Sequence, residues 1–283
     1  MTGWPWTEPP GRFSPFKLAV FLALFVPGVW TAVNFALGQL GPRPLTEAIH
    51  QVGLWTIRFL FLSLAITPAR HILQWPQLLL VRRMIGVAAF AYAVVHLSLY
   101  TIDEKFLLVH VASEIVLRIY LTIGFTALIG LSVLAATSTD GMVRELGSRR
   151  WQKLHRLTYA IAVLAIVHMF MQSKADVQEA TWMAGLYAWL MGYRLIARRY
   201  RGGRVPLVWA AAMGIVAGIL TAVCESLYFW WKMGIAPSRV LAVNFSLIAG
   251  IRPGWIVLST SLALCAVGVL VVALRGIRSR AVA

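Results

Sequence analysis

Residues 149–168 read RRWQKLHRLTYAIAVLAIVH, and this stretch indicates the kind of fold that the chain adopts. Basic residues come first, and an unbroken apolar run follows from Ala160 to Val167. A helix of about 20 mostly apolar residues is long enough to cross a hydrocarbon core of ~30 Å. Lipid offers the backbone no hydrogen-bond partner, so such a segment must form a helix or part of a closed barrel.

Similar apolar blocks recur along the whole chain, which is 60% apolar and only 13% charged. A soluble domain has about 25% charged residues. The blocks are too long and too continuous for barrel strands, which alternate in hydrophobicity over ~10 residues. The predicted fold class is therefore all-α, a polytopic membrane helix bundle with about eight transmembrane helices. The predicted spans are residues 16–38, 51–69, 84–102, 118–136, 153–172, 181–197, 206–230 and 254–274.

Lysine and arginine are concentrated in every second connection between these spans, and the positive-inside rule places such connections in the cytoplasm. We therefore expect a multi-pass protein of a bacterial inner membrane with both termini cytoplasmic. The first span begins near Phe16 and is long enough to be kept rather than cleaved. The net charge of +16 then reflects a lipid bilayer as partner and no nucleic acid. The basic connections contain Arg12 and Lys17; Arg70, Arg82 and Arg83; Arg144, Arg149, Arg150 and Lys153; Arg194, Arg198, Arg199, Arg201 and Arg204; and Arg275, Arg278 and Arg280.

Two histidines inside the apolar blocks are candidate cofactor ligands. His96 and His168 fall in spans three and five, which run in the same direction, at a similar depth in the outer half of the membrane. An ionisable residue at that depth is costly and marks a candidate functional site. Neutral imidazole is the common axial ligand of haem iron, so these two histidines could clamp one haem from both sides. A proton transporter would be expected to bury acids, but only Glu225 lies well inside a span.

Other residues extend this candidate site. His155 lies 13 residues before His168, about 20 Å nearer the cytoplasm, which suits a step between two redox centres. The same 13 residues turn an ideal helix by roughly 220°, so the two histidines do not share a face. Arg58, placed inside span two near its periplasmic end, and Arg118, at the start of span four, could bind haem propionates. The alternative for both arginines is contact with lipid head groups.

Several strings between Arg82 and Asp176 occur in a specific order and spacing. They resemble the MsrQ (YedZ) family of the ferric-reductase-like transmembrane superfamily, and the clear resemblance covers about residues 42–200. The matching strings are ITP at 66–68, RRMIG at 82–86, FAYAVVHLSLY at 90–100, RIYLTIGF at 118–125, TSTDGMVRELG at 137–147, RRWQKLHRLTYAIAVLAIVH at 149–168, and KAD at 174–176.

The resemblance implies a haem b membrane subunit, also FMN-binding, that supplies electrons to MsrP. MsrP is a periplasmic molybdopterin enzyme that reduces methionine sulfoxide in proteins. The membrane subunit would receive its own electrons from a cytoplasmic flavin reductase or from membrane quinol. The haem histidines of the family fall on His96, His155 and His168. One haem is expected and a second stays open, because span three has no histidine near Arg82. His71 could substitute for it but lies outside the matching strings.

The resemblance also suggests how the chain is organised. Residues 1–41 form an N-terminal cytoplasmic segment and first helix, residues 42–200 the haem-binding core, and residues 201–283 a two-helix C-terminal extension of unassigned role. A six-helix ferric-reductase-like pattern thus gains two helices. No substrate-reducing site is evident in the chain itself. The alternatives are a stand-alone ferric reductase, a quinone-linked b-type cytochrome and, in another class, a haem-free transporter.

Overall fold

The computed structural model describes residues 4–8, 11–173, 176–246 and 250–280, the last five of them by their backbone alone. A short antiparallel pair of strands, β1 (Thr7–Glu8) and β2 (Arg12–Phe13), precedes the helices. The helices in the described ranges are α1 (Pro15–Ala36), α2 (Pro44–Ile72), α3 (Leu78–Asp103), α4 (Leu108–Leu117), α5 (Ile119–Ala136), α6 (Asp140–Leu154), α7 (Leu157–Gln172), α8 (Gln178–Ala197), α9 (Leu207–Met233), α10 (Pro237–Phe245) and α11 (Pro253–Arg280).

Six of these helices are long and apolar enough to cross a membrane: α1, α2, α3, α5, α9 and α11. The helices α6 and α7, bent by 46° at the break between them, count as a seventh candidate if the pair is taken as one span. The predicted all-α, multi-pass membrane fold is confirmed. A helix lies in each of the eight predicted spans, but α7 has only 16 residues, and α8 contains Glu179 and Arg194. The number of eight crossings therefore stays a prediction.

The helix boundaries differ from the predicted ones in two places that affect the site. Helix α2 begins at Pro44, seven residues before its predicted start, because Glu47 and His50 are tolerated in its first two turns. Arg58 consequently lies midway along a 29-residue helix and not near its start, where the predicted span placed it. Arg82 and Arg83, expected in a connection, lie in the second turn of α3. The short helices α4, α6 and α10 were not predicted.

The chain forms two compact units. The first contains the residues up to Leu64 together with Leu79–His168, and the second contains Ala65–Leu78 and the residues from Met169 onward. The predicted division into residues 1–41, 42–200 and 201–283 concerns sequence segments and stays a prediction. Lys174 and the two chain ends, which the orientation prediction uses, lie outside the described residues.

In the first unit, a tyrosine hydroxyl joins α3 to the backbone of α1. The backbone N–H of Gly28 donates to Tyr92 Oη at 2.8 Å, and Tyr92 Oη donates to the carbonyl of Leu24, also at 2.8 Å. The hydroxyl thus contacts two backbone groups of α1 that are one helical turn apart. The Tyr92 ring also packs edge-on against Phe59 of α2, with centroids 5.0 Å apart. These contacts hold three helices in register on the side where the candidate histidine of α3 lies.

In the second unit, small residues let α9 and α11 approach closely. A Cβ added at Gly218 would lie 3.1 Å from the carbonyl oxygen of Gly254. Close backbone contact of this kind is typical of packed membrane helices. Trp189 of α8 lies in the same core, where its indole N–H donates to the carbonyl of Ala210 at 3.2 Å.

Candidate functional site

His96 projects from the last third of α3 against the first turns of α2. Its Nδ1 lies 2.8 Å from the carbonyl oxygen of Ile49. A carbonyl oxygen only accepts, so Nδ1 carries the proton and donates. The neutral ring then has its lone pair on Nε2. A backbone hydrogen bond that fixes the tautomer in this way is the usual support of a metal-binding histidine.

His168 repeats this arrangement near the end of α7. Its Nδ1 lies 2.8 Å from the carbonyl oxygen of Tyr120, in the first turn of α5. The same argument places the proton on Nδ1 and leaves Nε2 as the nitrogen able to bind a metal. Two histidines that are 72 positions apart in the sequence are therefore oriented in the same way, each by a hydrogen bond from Nδ1 to a backbone carbonyl of another helix.

The two imidazole rings are neighbours. Their centroids lie 6.5 Å apart, and their planes are nearly perpendicular, at 86°. A metal placed between two imidazoles lies about 2 Å from each nitrogen and roughly 1 Å more from each ring centre, so it separates the centres by about 6 Å. The observed separation of 6.5 Å between the His96 and His168 ring centres would leave room for one metal ion between them.

Each imidazole ring packs against a glycine, whose missing side chain leaves the space that the ring occupies. A Cβ added at Gly53 would lie 2.9 Å from the His96 ring, and a Cβ at Gly124 would lie 2.7 Å from the His168 ring. Each glycine follows the hydrogen-bonded carbonyl, of Ile49 or Tyr120, by four residues, one turn along the same helix face. Any side chain at either glycine would fill the space of the imidazole.

His155 is placed differently. It lies in the bend between α6 and α7, stacked on Trp151 with ring centroids 3.8 Å apart, and its Nε2 lies 3.3 Å from Thr137 Oγ1. That hydroxyl donates to the carbonyl of Val133 at 2.8 Å, so it accepts from His155 Nε2.

The structure does not bring His155 together with the histidine pair. In the described ranges, the ring contact and the side-chain hydrogen bond of His155 are to Trp151 and Thr137, not to another histidine. His71 belongs to the second unit, where its Nε2 accepts a hydrogen bond from Arg70 Nε at 3.2 Å.

One candidate arginine, Arg58, precedes both histidines in the sequence, and the other, Arg118, lies between them. Arg118 immediately precedes α5, as expected, and its guanidinium pairs with Glu114 at 2.5 Å and reaches Tyr120 Oη at 3.2 Å. Arg118 lies two residues before Tyr120, whose carbonyl orients His168. Arg58 lies nine residues after Ile49, about 13 Å further along α2, with its guanidinium 5.0 Å from the Trp55 ring centre.

The chemistry of the pair suits a metal that brings further ligands with it. Among the described residues, no group of three or more His, Cys, Asp or Glu side chains could hold a bare metal ion. Haem iron needs only axial ligands from the protein, because the porphyrin fills the other positions. The pair His96 and His168, with its space provided by glycine, fits that requirement.

Sequence reasoning missed the residues that position the histidines. The Ile49 and Tyr120 contributions are backbone carbonyls, which a side-chain pattern does not reveal. Gly53 and Gly124 did carry a signal, since a glycine inside an apolar span often marks close approach of another group.

Comparison with known proteins supports the likeness seen in the sequence. Residues 52–166 match the family model described as ferric reductase like transmembrane component. The matched segment includes His96 and His155 and ends two residues before His168. No solved structure matches the chain.

Curated relatives named protein-methionine-sulfoxide reductase heme-binding subunit MsrQ align with most of their length. The relative from Rhodospirillum rubrum is 43% identical over 193 residues, which is 67% of this chain and 93% of the relative. The relative from Azospira oryzae is 35% identical over 199 residues, 70% of this chain and 85% of the relative. The relative from Xanthomonas oryzae pv. oryzae strain MAFF 311018 is 41% identical over 180 residues, 62% of this chain and 82% of the relative. On this identity and coverage, the chain belongs to the MsrQ family.

Proposed function

We propose that the chain is a haem b electron-transfer subunit that passes electrons to a periplasmic molybdopterin methionine sulfoxide reductase of the MsrP kind, for repair of oxidised proteins. The observation that carries this proposal is the pair His96 and His168, with centroids 6.5 Å apart. The relatives' name, a heme-binding subunit of a methionine sulfoxide reductase, supports both the cofactor and the partner. A haem bound there would supply a one-electron couple inside the membrane.

In this proposal, the protein's own contribution is to hold and orient the ligands. His96 and His168 would hold the haem iron through Nε2, while the carbonyls of Ile49 and Tyr120 keep the proton on Nδ1. Packing of both rings against helix backbone limits their rotation, which favours one geometry in both oxidation states. Arg118, on the same side as Tyr120, would be shared between Glu114 and a haem propionate.

The end of the helices near His155 is proposed to face the cytoplasm and to receive electrons from a cytoplasmic flavin reductase or from membrane quinol. His155 lies there among exposed basic residues, namely Arg149, Arg150, Lys153 and Arg156. This surface would attract an anionic electron donor. Because Nε2 of His155 is engaged by Thr137, we propose a single haem, with His155 acting on the path that delivers electrons to it.

A transfer experiment tests the partner. The purified chain would be reduced, then mixed with a periplasmic molybdopterin reductase from the same organism and a protein carrying methionine sulfoxide. The proposal predicts reoxidation that needs both additions. Reoxidation that is equally fast without the reductase would contradict it.

The alternative is a stand-alone ferric reductase, which the description of the matching family model favours. A ferric reductase would be reoxidised by a ferric chelate alone, at a rate that the molybdopterin enzyme leaves unchanged. The same reduced protein can therefore be used to compare the two acceptors directly.

A further inference from the structure

A basic cavity lies in the second compact unit, which does not contain the histidine pair. Its volume is about 340 Å³, within the usual range for small-ligand sites. The connection between α2 and α3 forms one wall, and the connection between α8 and α9 and the end of α11 supply the rest. The lining residues are Arg70, His71, Gln74, Pro76, Arg204 and Arg275.

The charge of this cavity is not balanced within its own unit. None of the described residues that line it is a carboxylate, and the sequence of the unit contains three acids, Asp176, Glu179 and Glu225. Asp176 and Glu179 lie at the start of α8, whereas Arg204 follows its end, about 30 Å away along the axis. Three guanidinium groups therefore line one cavity without a carboxylate of their unit to neutralise them.

The arginines are held by backbone and side-chain contacts. Arg275 donates from Nη1 to Gln74 Oε1 and from Nη2 to the Gln74 carbonyl, both at 3.1 Å. Gln74 has a φ of 50°, a left-handed conformation that is uncommon outside glycine. Arg70 Nε donates to His71 Nε2 at 3.2 Å. Loop arginines that served only to orient the chain in a membrane would need no such fixed geometry.

Glycine shapes the remaining wall. Gly202 and Gly203, with φ of 71° and 70°, form the tight turn that leads directly into Arg204. A Cβ on Gly203 would come within 3.7 Å of His71 Nε2. The turn thus brings the chain close to His71 and places Arg204 at the cavity.

We propose that this cavity binds a phosphate group, carried either by a free mononucleotide such as FMN or by the head group of an anionic lipid. Guanidinium groups are the side chains best suited to bidentate contact with phosphate oxygens. Arg204, Arg275 and Arg70 supply donors from three separate segments. This site is independent of the proposed haem site and shares none of its residues.

The mononucleotide source is tested by binding to the full-length protein in detergent. FMN would be titrated while its fluorescence anisotropy is followed, with riboflavin as the probe that lacks phosphate and inorganic phosphate as competitor. The Arg204→Gln and Arg275→Gln variants should weaken FMN binding by about tenfold or more, the scale of one charge-assisted contact. Arg201→Gln is the matched control, because it removes the same charge from the same turn without lining the cavity.

The lipid source is tested on the same four proteins in nanodiscs of phosphatidylglycerol or phosphatidylcholine, with retained lipid counted by native mass spectrometry. Loss of retained phosphatidylglycerol in Arg204→Gln and Arg275→Gln, but not in Arg201→Gln, supports a lipid phosphate. Preference for FMN over riboflavin with the same variant pattern supports a mononucleotide. If neither ligand depends on Arg204 or Arg275 more than on Arg201, the proposal is overturned. A Arg204→Lys variant, which keeps the charge, and unchanged melting temperatures separate lost binding from lost folding.

Discussion

The imidazole of His168 occupies the space in which a Cβ on Gly124 would lie, 2.7 Å from Nδ1. The same relationship holds between His96 and Gly53, at 2.9 Å. Real Cβ atoms do not approach ring atoms this closely. A side chain at either glycine would therefore force the imidazole ring opposite it to move.

The first prediction follows from this fit. Gly124→Ala and Gly53→Ala should each displace a ring from its carbonyl and reduce bound haem by at least about tenfold, the loss that about 1.4 kcal/mol of weakened ligation would cause. Alanine alone would favour the helix over glycine by up to about 1 kcal/mol, so the effect has the opposite sign to helix propensity. Haem content per purified chain is the measurement.

Gly86→Ala is the control for that prediction. Gly86 lies in α3, as does His96, but a Cβ there meets nothing within 4 Å. This variant should bind haem as the wild type does and unfold at the same temperature or slightly higher. Equal haem loss in all three variants would mean that the glycines act through general helix packing.

The second prediction concerns His155. His155→Ala should slow reduction by a flavin reductase or quinol analogue by at least about tenfold, or about 1.4 kcal/mol in barrier. Haem at the outer pair should still be reduced by dithionite. Thr137→Val serves as the control, since it keeps the imidazole and removes the hydroxyl that lies 3.3 Å from its Nε2. A wild-type rate in His155→Ala would remove this residue from the electron path.

The third prediction concerns the charge of Arg58. Removing a cation from the interior disfavours the state with one more electron, so Arg58→Ala should lower the haem midpoint potential. A shift of up to about 60 mV is expected, the one-electron equivalent of a tenfold change. Arg43→Ala removes an exposed charge just before α2 and should change the potential little. A potentiometric titration that gives equal shifts for both variants would argue against the interior placement.

The fourth prediction concerns orientation. Reporter fusions after Ala283 and after Lys174 should report opposite sides of the membrane, with the C-terminus in the cytoplasm. The physical reason is the concentration of arginine in alternate connections. Both fusions reporting the same side would exclude the predicted eight-span arrangement.

The fold was largely predictable because membrane insertion acts on local sequence. Apolar blocks of sufficient length located α1, α3, α5 and α9 to within several residues. The amphipathic or polar helices were missed, since α6 carries Arg144, Glu145, Arg149 and Arg150 and has no continuous apolar run. The start of α2 was misplaced for a similar reason, because the polar residues of its first turns break the apolar pattern.

The candidate histidines were also predictable, since an imidazole inside an apolar block is conspicuous. Their partners were not, because pairing His96 with Ile49 and His168 with Tyr120 depends on the register between helices far apart in sequence. The predicted position of Arg58 near the start of its helix was wrong because the start of α2 was predicted seven residues too late. Contacts that join distant segments, such as Arg275 with Gln74, are likewise absent from any local pattern.

The fifth prediction is the central one, that His96 and His168 are the axial ligands of one haem. Purified full-length protein should show a low-spin b-type absorption spectrum, and its oxidised electron paramagnetic resonance signal should be the strongly anisotropic kind expected of crossed imidazole planes at 86°. His110→Ala, which alters an exposed histidine paired with Glu104, is the control and should keep both spectra.

The most direct measurement is that pair of spectra for His96→Ala and His168→Ala, recorded on membrane-inserted protein with haem content quantified. Our account predicts that each substitution removes most of the low-spin signal while the His110→Ala spectra match the wild type. Full haem content with an unchanged low-spin spectrum in either His96→Ala or His168→Ala would contradict it.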